Sequence, residues 1–414
     1  MGQNGVIWSV FTQSLISRPQ RKSASTTRPW IRTAFRPWHK DDVRDQFQCN
    51  RIDTPRPEQQ SALLLHAIRQ PYEVTIDHAV PEIQQDSELL VKVTAVGLNP
   101  MDWTAPDYNF GIPVIPYVSG RELSGVVVKA PKAQNSRVRE GDVRRVIFNT
   151  IRLPHNVSAE SGSILGVAFV SAVLALGIGM GVSFESIENG PDLLKIVRSI
   201  ESERLPADIR RECIEGISED DRAQAGDYLV IWGGSSTSAH LTKHIARLAG
   251  LKIVSVVDSA KHGVLLSTNA TTRPDLLSAA HVLRSLVSST SPISSLSKDA
   301  QNYERKDSKL LTPPSTPLEL SEDGPRSHLV GLTRLPKPGI PEDVTLHNVP
   351  IKLFHEIPEV GKALSAWCER LLVKGLLVPP DVVGTVKGFG AINEDLDRMR
   401  RREISGGRLV AVLP

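Results

Sequence analysis

The chain has 414 residues, more than one ordinary domain holds, so two domains with room for tails are predicted. Its apolar fraction of 40% and charged fraction of 23% exclude a disordered, fibrous or collagen-like protein. The net charge of +3 is uneven: the first forty residues carry seven basic groups and no acid, which leaves a mildly acidic body without the dense basic face that nucleic-acid binding requires.

The acid-free N-terminal segment, to about Lys40, is rich in Arg and Ser, and Val6, Ile7, Val10, Phe11, Leu15 and Ile16 can form one helical face. It reads as a mitochondrial transit peptide or as an unstructured extension, in either case outside the fold. Four runs follow, ALLLHA from Ala62, YEVTID from Tyr72, ELLVKVTAV from Glu88 and LSGVVVKA from Leu123. Their apolar residues alternate with polar ones, and Pro, Gly, Asn and Asp punctuate the runs, which predicts a small, partly open β-barrel.

Residues Ile164 to Val182 form nineteen positions without a charge, long enough to span a bilayer. The run is rich in Gly, Ala and Ser, lacks an aromatic belt and is the sole run of its kind, so a helix buried between domains is expected instead. A charged stretch from Pro191 to Gln224 should include surface helix. The clearest strand, Asp227 to Trp232, feeds GGSSTSA and a helix over Ser238–Leu248 with Leu241, Ile245 and Leu248 on one face and Gly250 at its C-terminal end. A further strand, KIVSVVD, ends at Asp258.

From about Ser285 to His328 the Ser/Thr/Pro/Lys-rich sequence predicts a flexible insertion. Order returns with a strand over His328–Pro336, a helix from about Glu359 burying Val360, Leu364, Trp367 and Leu371, and a final strand, Arg408 to Leu413. The expected bounds are an extension over 1–58, a barrel domain over 59–160, a first α/β part over 161–284, the insertion over 285–327 and an α/β return over 328–414. The three cysteines, Cys49, Cys213 and Cys368, are far apart and imply neither a disulfide framework nor a zinc knot.

The turn from Gly233 to Ala239 lies where a strand enters a helix, the place where free backbone N–H groups and the helix dipole hold a dinucleotide pyrophosphate. Gly233 and Gly234 allow close approach, and Ser235, Ser236 and Thr237 offer hydroxyls to phosphate oxygens. Asp258 stands about where a ribose-binding acid is expected and suits the 2′-hydroxyl of NAD, whereas Lys261 and His262 can pair with the 2′-phosphate of NADP. An ordinary turn followed by a solvated loop is the bland alternative.

The runs KVTAVGLNPMDW (Lys92–Trp103) and SGRELSGVV (Ser119–Val127), the Gly233 turn and the terminal SGGRLVAVLP together resemble the medium-chain dehydrogenase/reductase family, most closely its zinc-free fungal enoyl-reductase-like branch. The resemblance implies an α/β protein, a GroES-like barrel followed by a doubly wound Rossmann sheet, with NADP(H), or alternatively NAD(H), held between them. It also implies that Asn99 and Asp102 shape the nicotinamide side of the cleft and that Tyr108 donates a proton. Each has a structural alternative: a turn at Asn99-Pro100, a cap at Asp102, barrel packing at Tyr108.

In the family's zinc enzymes the positions near Asn99-Pro100 and at Arg121 carry ligands. A guanidinium has no free lone pair, so no metal is expected here. Hydride transfer without a Lewis acid suits a conjugated C=C, an enone, quinone or enoyl substrate, small or carried on an acyl carrier. The branch further implies a possible polyketide synthase partner and a homodimer, with no membrane or nucleic-acid partner, in the cytoplasm or, if the N-terminal segment is a transit peptide, the mitochondrion. Three departures point to a second reading, a catalytically impaired relative that keeps the fold. Thr104 replaces a lysine frequent in the branch, the barrel is short between Val146 and Phe148, and two strand–helix units expected after His262 are missing.

Overall fold

The computed structural model describes residues 8–11, 58–86, 88–132, 139–141, 143–147, 149–257, 270–271, 327–332 and 344–414. The first part runs β1 (Trp8–Phe11), β2 (Gln59–Leu65), β3 (Glu73–Ala79), β4 (Leu89–Gly97), α1 (Pro100–Tyr108), β5 (Tyr117–Val118), β6 (Glu122–Lys129), β7 (Val143–Ile147) and β8 (Asn149–Arg152). The second comprises α2 (Ala159–Ser163), α3 (Gly166–Leu174), α4 (Leu193–Arg198), α5 (Arg210–Glu215), β9 (Tyr228–Trp232), α6 (Thr237–Leu248), β10 (Lys252–Val256), β11 (Ala270–Thr271), β12 (Ser327–Gly331) and β13 (Val344–Asn348). Last come α7 (Lys352–Glu356), α8 (Pro358–Val373), β14 (Val382–Lys387), α9 (Ile392–Arg400) and β15 (Arg408–Val412).

The largest sheet has the order β14-β15-β4-β6-β7-β8, with β1 also on β4. β4 supplies the predicted alternation, burying Leu89, Val91, Val93 and Ala95 almost completely. A Cβ on Gly125 would lie 2.1 Å from the Lys92 carbonyl oxygen, so β6 can follow the bulge opposite Val93–Ala95 only with glycine there. The smaller sheet β3-β2-β5 has β3 as a largely exposed edge. Neither sheet is closed among the described residues, in keeping with the partly open barrel expected.

Two expectations are corrected here. Residues 8–11, expected outside the fold, pair antiparallel with Leu89–Lys92 of β4. β15 covers only Ala95–Gly97 of that edge, and the remaining backbone donors and acceptors need a partner. The final strand, expected in the α/β return, instead pairs with β4, and carries β14 into the first sheet as its parallel neighbour.

The α/β part retains a parallel β11-β10-β9 sheet and a separate parallel β12-β13 pair. The nineteen-residue apolar run is interior, as expected: α3 continues into a π-helical turn over Ala175–Gly179, and Ala168, Phe169, Val173, Leu174, Leu176 and Ile178 are buried in the largest core cluster. No helix among the described residues is long and apolar enough to cross a membrane. The helix α8 buries Val360, Leu364, Trp367 and Leu371 as its period requires, and Trp367 stacks on Phe184 while donating its indole N–H to the Ile187 carbonyl at 3.0 Å. On α6, Leu241 and Ile245 are buried but Leu248 is 37% exposed, because the helix ends at that residue, beyond the core. The stretch from Pro191 to Gln224 does form short helices, yet Leu193, Leu194, Val197 and Cys213 point into the core.

Candidate functional site

The turn after β9 is built by its own sequence. Gly233 takes φ +71°, a left-handed conformation open to glycine, and its carbonyl accepts the Ser236 N–H at 3.0 Å to close the turn. Ser236 is the N-cap of α6, its hydroxyl accepting the Ala239 N–H at 3.1 Å, so part of the oxygen read as a phosphate ligand serves the helix. Gly234 is held against β10, where a Cβ would meet the Ser255 side chain at 2.9 Å. Gly233 faces open space, with nothing among the described residues within 4 Å of a Cβ built there. The amides of Gly234, Ser235, Thr237 and Ser238 make no hydrogen bond among the described residues. Open space before a glycine, unengaged N–H groups and a twelve-residue helix behind them are what a pyrophosphate needs.

One residue escaped sequence reading. Lys243, two turns into α6, reaches back to donate to the Gly234 carbonyl at 2.7 Å, and burial followed by the Arg247 charge lowers its ammonium from the usual range. The periodicity of α6 marks position 243 as polar without marking it as a contact to the turn. Asp258, Lys261 and His262 lie outside the described residues.

The second group gathers around the start of α1. Asn99 and Asp102 are 2% and 4% exposed. The Asn99 N–H donates to the Asp102 carboxylate at 2.8 Å, so the capping alternative for Asp102 is realised. The Asn99 amide donates to Glu122 at 3.0 Å and accepts from Arg408, which also donates to Glu122 at 2.5 Å. Glu122, fully buried, further accepts the Val167 N–H at the first turn of α3. A carboxylate from β6, a guanidinium from β15, the residue before α1 and the N-terminus of α3 thus satisfy one another, as buried charge requires.

The other Asp102 oxygen faces Arg121, whose Nε lies 3.6 Å away. Tyr72 donates its hydroxyl to the Asp102 carbonyl at 2.7 Å. Burial pushes the Tyr72 phenol up to about 12 and raises Tyr117, while it raises the Asp102 carboxyl to about 6 against the opposing pull of the Asn99 N–H, Arg121 and Arg408. Tyr108 stands apart from this group, at the last position of α1 and 69% exposed. Thr104 turns its hydroxyl onto the Pro100 carbonyl at 2.9 Å. Elsewhere, His328, the buried His347 and Glu212 form a chain of hydrogen bonds of 2.9 and 2.7 Å between β12, β13 and α5, which no spacing in the sequence signalled. Among the described residues no three His, Cys, Asp or Glu side chains gather as a metal site would require.

Comparison with known proteins follows the same lines. Residues 85–184 match the alcohol dehydrogenase GroES-like domain. The trans-enoyl reductase mycC of Thermothelomyces thermophilus is 26% identical over 396 residues, 87% of this chain and 99% of that protein. The resemblance to the enoyl-reductase-like branch of the medium-chain dehydrogenase/reductase family is borne out. The dehydrogenase orsE of Emericella nidulans is 27% identical over 192 residues, and the trans-enoyl reductase tazE of Aspergillus terreus 24% over 186 residues. The aligned segments span only about half the length of these two, 52% and 58%, and 44% of this chain in each case. Among solved structures, the CurK enoyl reductase superposes with a TM-score of 0.55 at 14% identity, over 86% of this chain and all of that one. A mycobacterial quinone oxidoreductase gives 0.54 at 15%, over 86% and 99%. The fold is therefore the one these reductases share.

Proposed function

We propose that this protein is a nicotinamide-dependent oxidoreductase that reduces a conjugated C=C bond in an enoyl, enone or quinone substrate. The observation that carries the proposal is the Gly233 turn, whose open face and unengaged amides at the mouth of α6 fit a dinucleotide pyrophosphate. When bound, the reduced nicotinamide supplies hydride. Around it, the backbone from Gly233 to Ser238 binds phosphate, with the Ser235 and Thr237 hydroxyls alongside, while the buried Asn99–Glu122–Arg408 network fixes the wall on which Asp102 sits. The names of the relatives support an enoyl or quinone substrate, and the proposed extension is that the substrate is free or carrier-bound, with a polyketide synthase as partner.

The residues at the expected ligand positions do not fit zinc, because Arg121 is a protonated guanidinium beside Asp102 and Asn99 is committed to Glu122 and Arg408. We therefore propose chemistry without a metal. NADP(H) is the proposed cofactor, on the strength of Lys261 and His262, with NAD(H) favoured by Asp258. Tyr108 remains the proposed proton donor, and a cytoplasmic homodimer the proposed working form.

Titration of the purified full chain with NADPH and NADH, followed by nucleotide fluorescence and then by addition of 2-cyclohexenone, tests the proposal. Binding of at least one nucleotide and its oxidation on adding the enone are expected. Gly233→Val places a β-branched side chain at a left-handed φ and in front of the free amides, and should abolish binding while a circular-dichroism spectrum stays native. Unchanged affinity in that variant would remove the pyrophosphate from the turn. Nucleotide binding without turnover is the outcome expected of the second reading, a relative that has lost catalysis, favoured by the short parallel sheets among the described residues.

A further inference from the structure

Two guanidinium groups sit beside two buried carboxylates in the same part of the molecule, and they differ in what they do there. Arg408 meets Glu122 at 2.5 Å and also bonds Asn99, so both partners are satisfied. Arg121 approaches Asp102 no closer than 3.6 Å, and among the described residues neither the Arg121 Nε nor the facing Asp102 Oδ1 has a hydrogen-bond partner, although both atoms are shielded from solvent. Buried donors without acceptors are rare in folded proteins because each forfeits its hydration without return.

Asp102 cannot swing to close the gap. Its other oxygen is tied to the Asn99 N–H, its backbone carbonyl holds the Tyr72 hydroxyl, and its own N–H donates to the Asn99 carbonyl. Arg121, by contrast, follows Gly120, at φ +113°, and its side chain keeps a quarter of its surface in solvent. Its charge is felt by Tyr72, Tyr117 and Asp102. A cation is thus held beside one carboxylate, 3.6 Å away, with part of its side chain open to solvent.

We propose that Arg121 binds the oxygen of the substrate that becomes negative during reduction. This rests on the oxidoreductase reading above and names the group that stabilises its transition state. The substrate's β-carbon takes hydride from the reduced dinucleotide, which leaves oxidised. The C=C electron pair moves toward the carbonyl, giving an enolate whose oxygen accepts N–H bonds from Arg121. A proton from the donor or from solvent then reaches the α-carbon and restores the carbonyl. A guanidinium suits this task because its positive charge is already beside the site when the negative charge develops.

The test uses para-nitrophenol as an enolate mimic together with 2-cyclohexenone as substrate. The wild-type chain should bind the phenolate in preference to the phenol, so the yellow phenolate band grows at a pH where free nitrophenol is largely protonated. Arg121→Met should abolish that shift and lower kcat/KM for the enone by about 10²–10³-fold, mainly through kcat, with nucleotide affinity unchanged. Arg121→Lys should keep part of both. Because removing Arg121 leaves Asp102 alone in the interior, the double variant Arg121→Met/Asp102→Asn provides a charge-neutral check and should also lose the shift. No shift in the wild type, or a shift and a kcat/KM that survive Arg121→Met, overturns the inference. A shift that depends on Arg121 in a chain that binds neither NADPH nor NADH supports the anion site and counts against the oxidoreductase reading instead.

Discussion

Asp102 shows what a single buried carboxylate does to the whole protein. Desolvation lifts its carboxyl from the ordinary 3.8 to about 6, with Arg121 and Arg408 opposing and Glu122 reinforcing the rise. The folded protein then retains a proton that the unfolded chain has already released between about pH 4 and pH 6. Stability accordingly falls as pH rises through that window and stays lower above it, by about 3 kcal/mol for a rise of this size. Asp102→Asn removes the titration. Its unfolding free energy relative to wild type, measured by urea denaturation at a series of pH values, should increase between pH 4 and pH 6 and level off above, whereas a constant difference would mean that the ion pairs hold Asp102 charged throughout. At this scale the sequence was partly legible. Asn99 and Asp102 were singled out on resemblance, and their mutual bond is local. Glu122 and Arg408 were not, because their pairing depends on a contact across 286 positions that no local pattern encodes.

Among the elements, α6 was the most legible, since an amphipathic period and a glycine after its end are local signals, whereas its capping serine was read as a phosphate ligand. Its beginning carries two duties, helix capping and the candidate pyrophosphate contact, and Ser236 separates them. Ser236→Ala should lower the unfolding free energy by about 1 kcal/mol through the lost cap, measured by urea denaturation without nucleotide. Nucleotide affinity should change far less than in Gly233→Val, because the backbone amides remain. A variant as stable as wild type would show that solvent caps α6 equally well. The apolar run before it was legible in its fate but not in its form: uniform hydrophobicity has no period from which to read a helix boundary. The switch to a π-helical turn at Ala175 and the left-handed Gly181 that follows come from packing, where Gly177 lies against Leu193 and Phe184.

For the molecule as a whole, the alternation of β2, β4 and β6 and the strand–turn–helix unit at β9–α6 sufficed to anticipate an α/β protein with a barrel-like first part. The membership of each sheet was not legible, because hydrogen-bond partners are chosen by available edges rather than by the strand's own residues. β15 could equally have extended the α/β layer; its buried Leu409, Val410 and Ala411 match β4 because they sit between that strand and β14. Hydrogen exchange followed by mass spectrometry checks this arrangement. Peptides from β4 and β15 should exchange on the same slow timescale and accelerate together in mild denaturant. Early exchange of β15 alone would mean that it is an appendage rather than an integral strand.

Glu122 also has a consequence for how the protein is made. Its partners come from both sides of it, and the guanidinium that neutralises it is synthesised almost three hundred residues later. While the ribosome is still producing the intervening helices, β4 and β6 can find each other, but the acid between them has no counterion. The first sheet therefore lacks the counterion of its buried acid until β15 has been made.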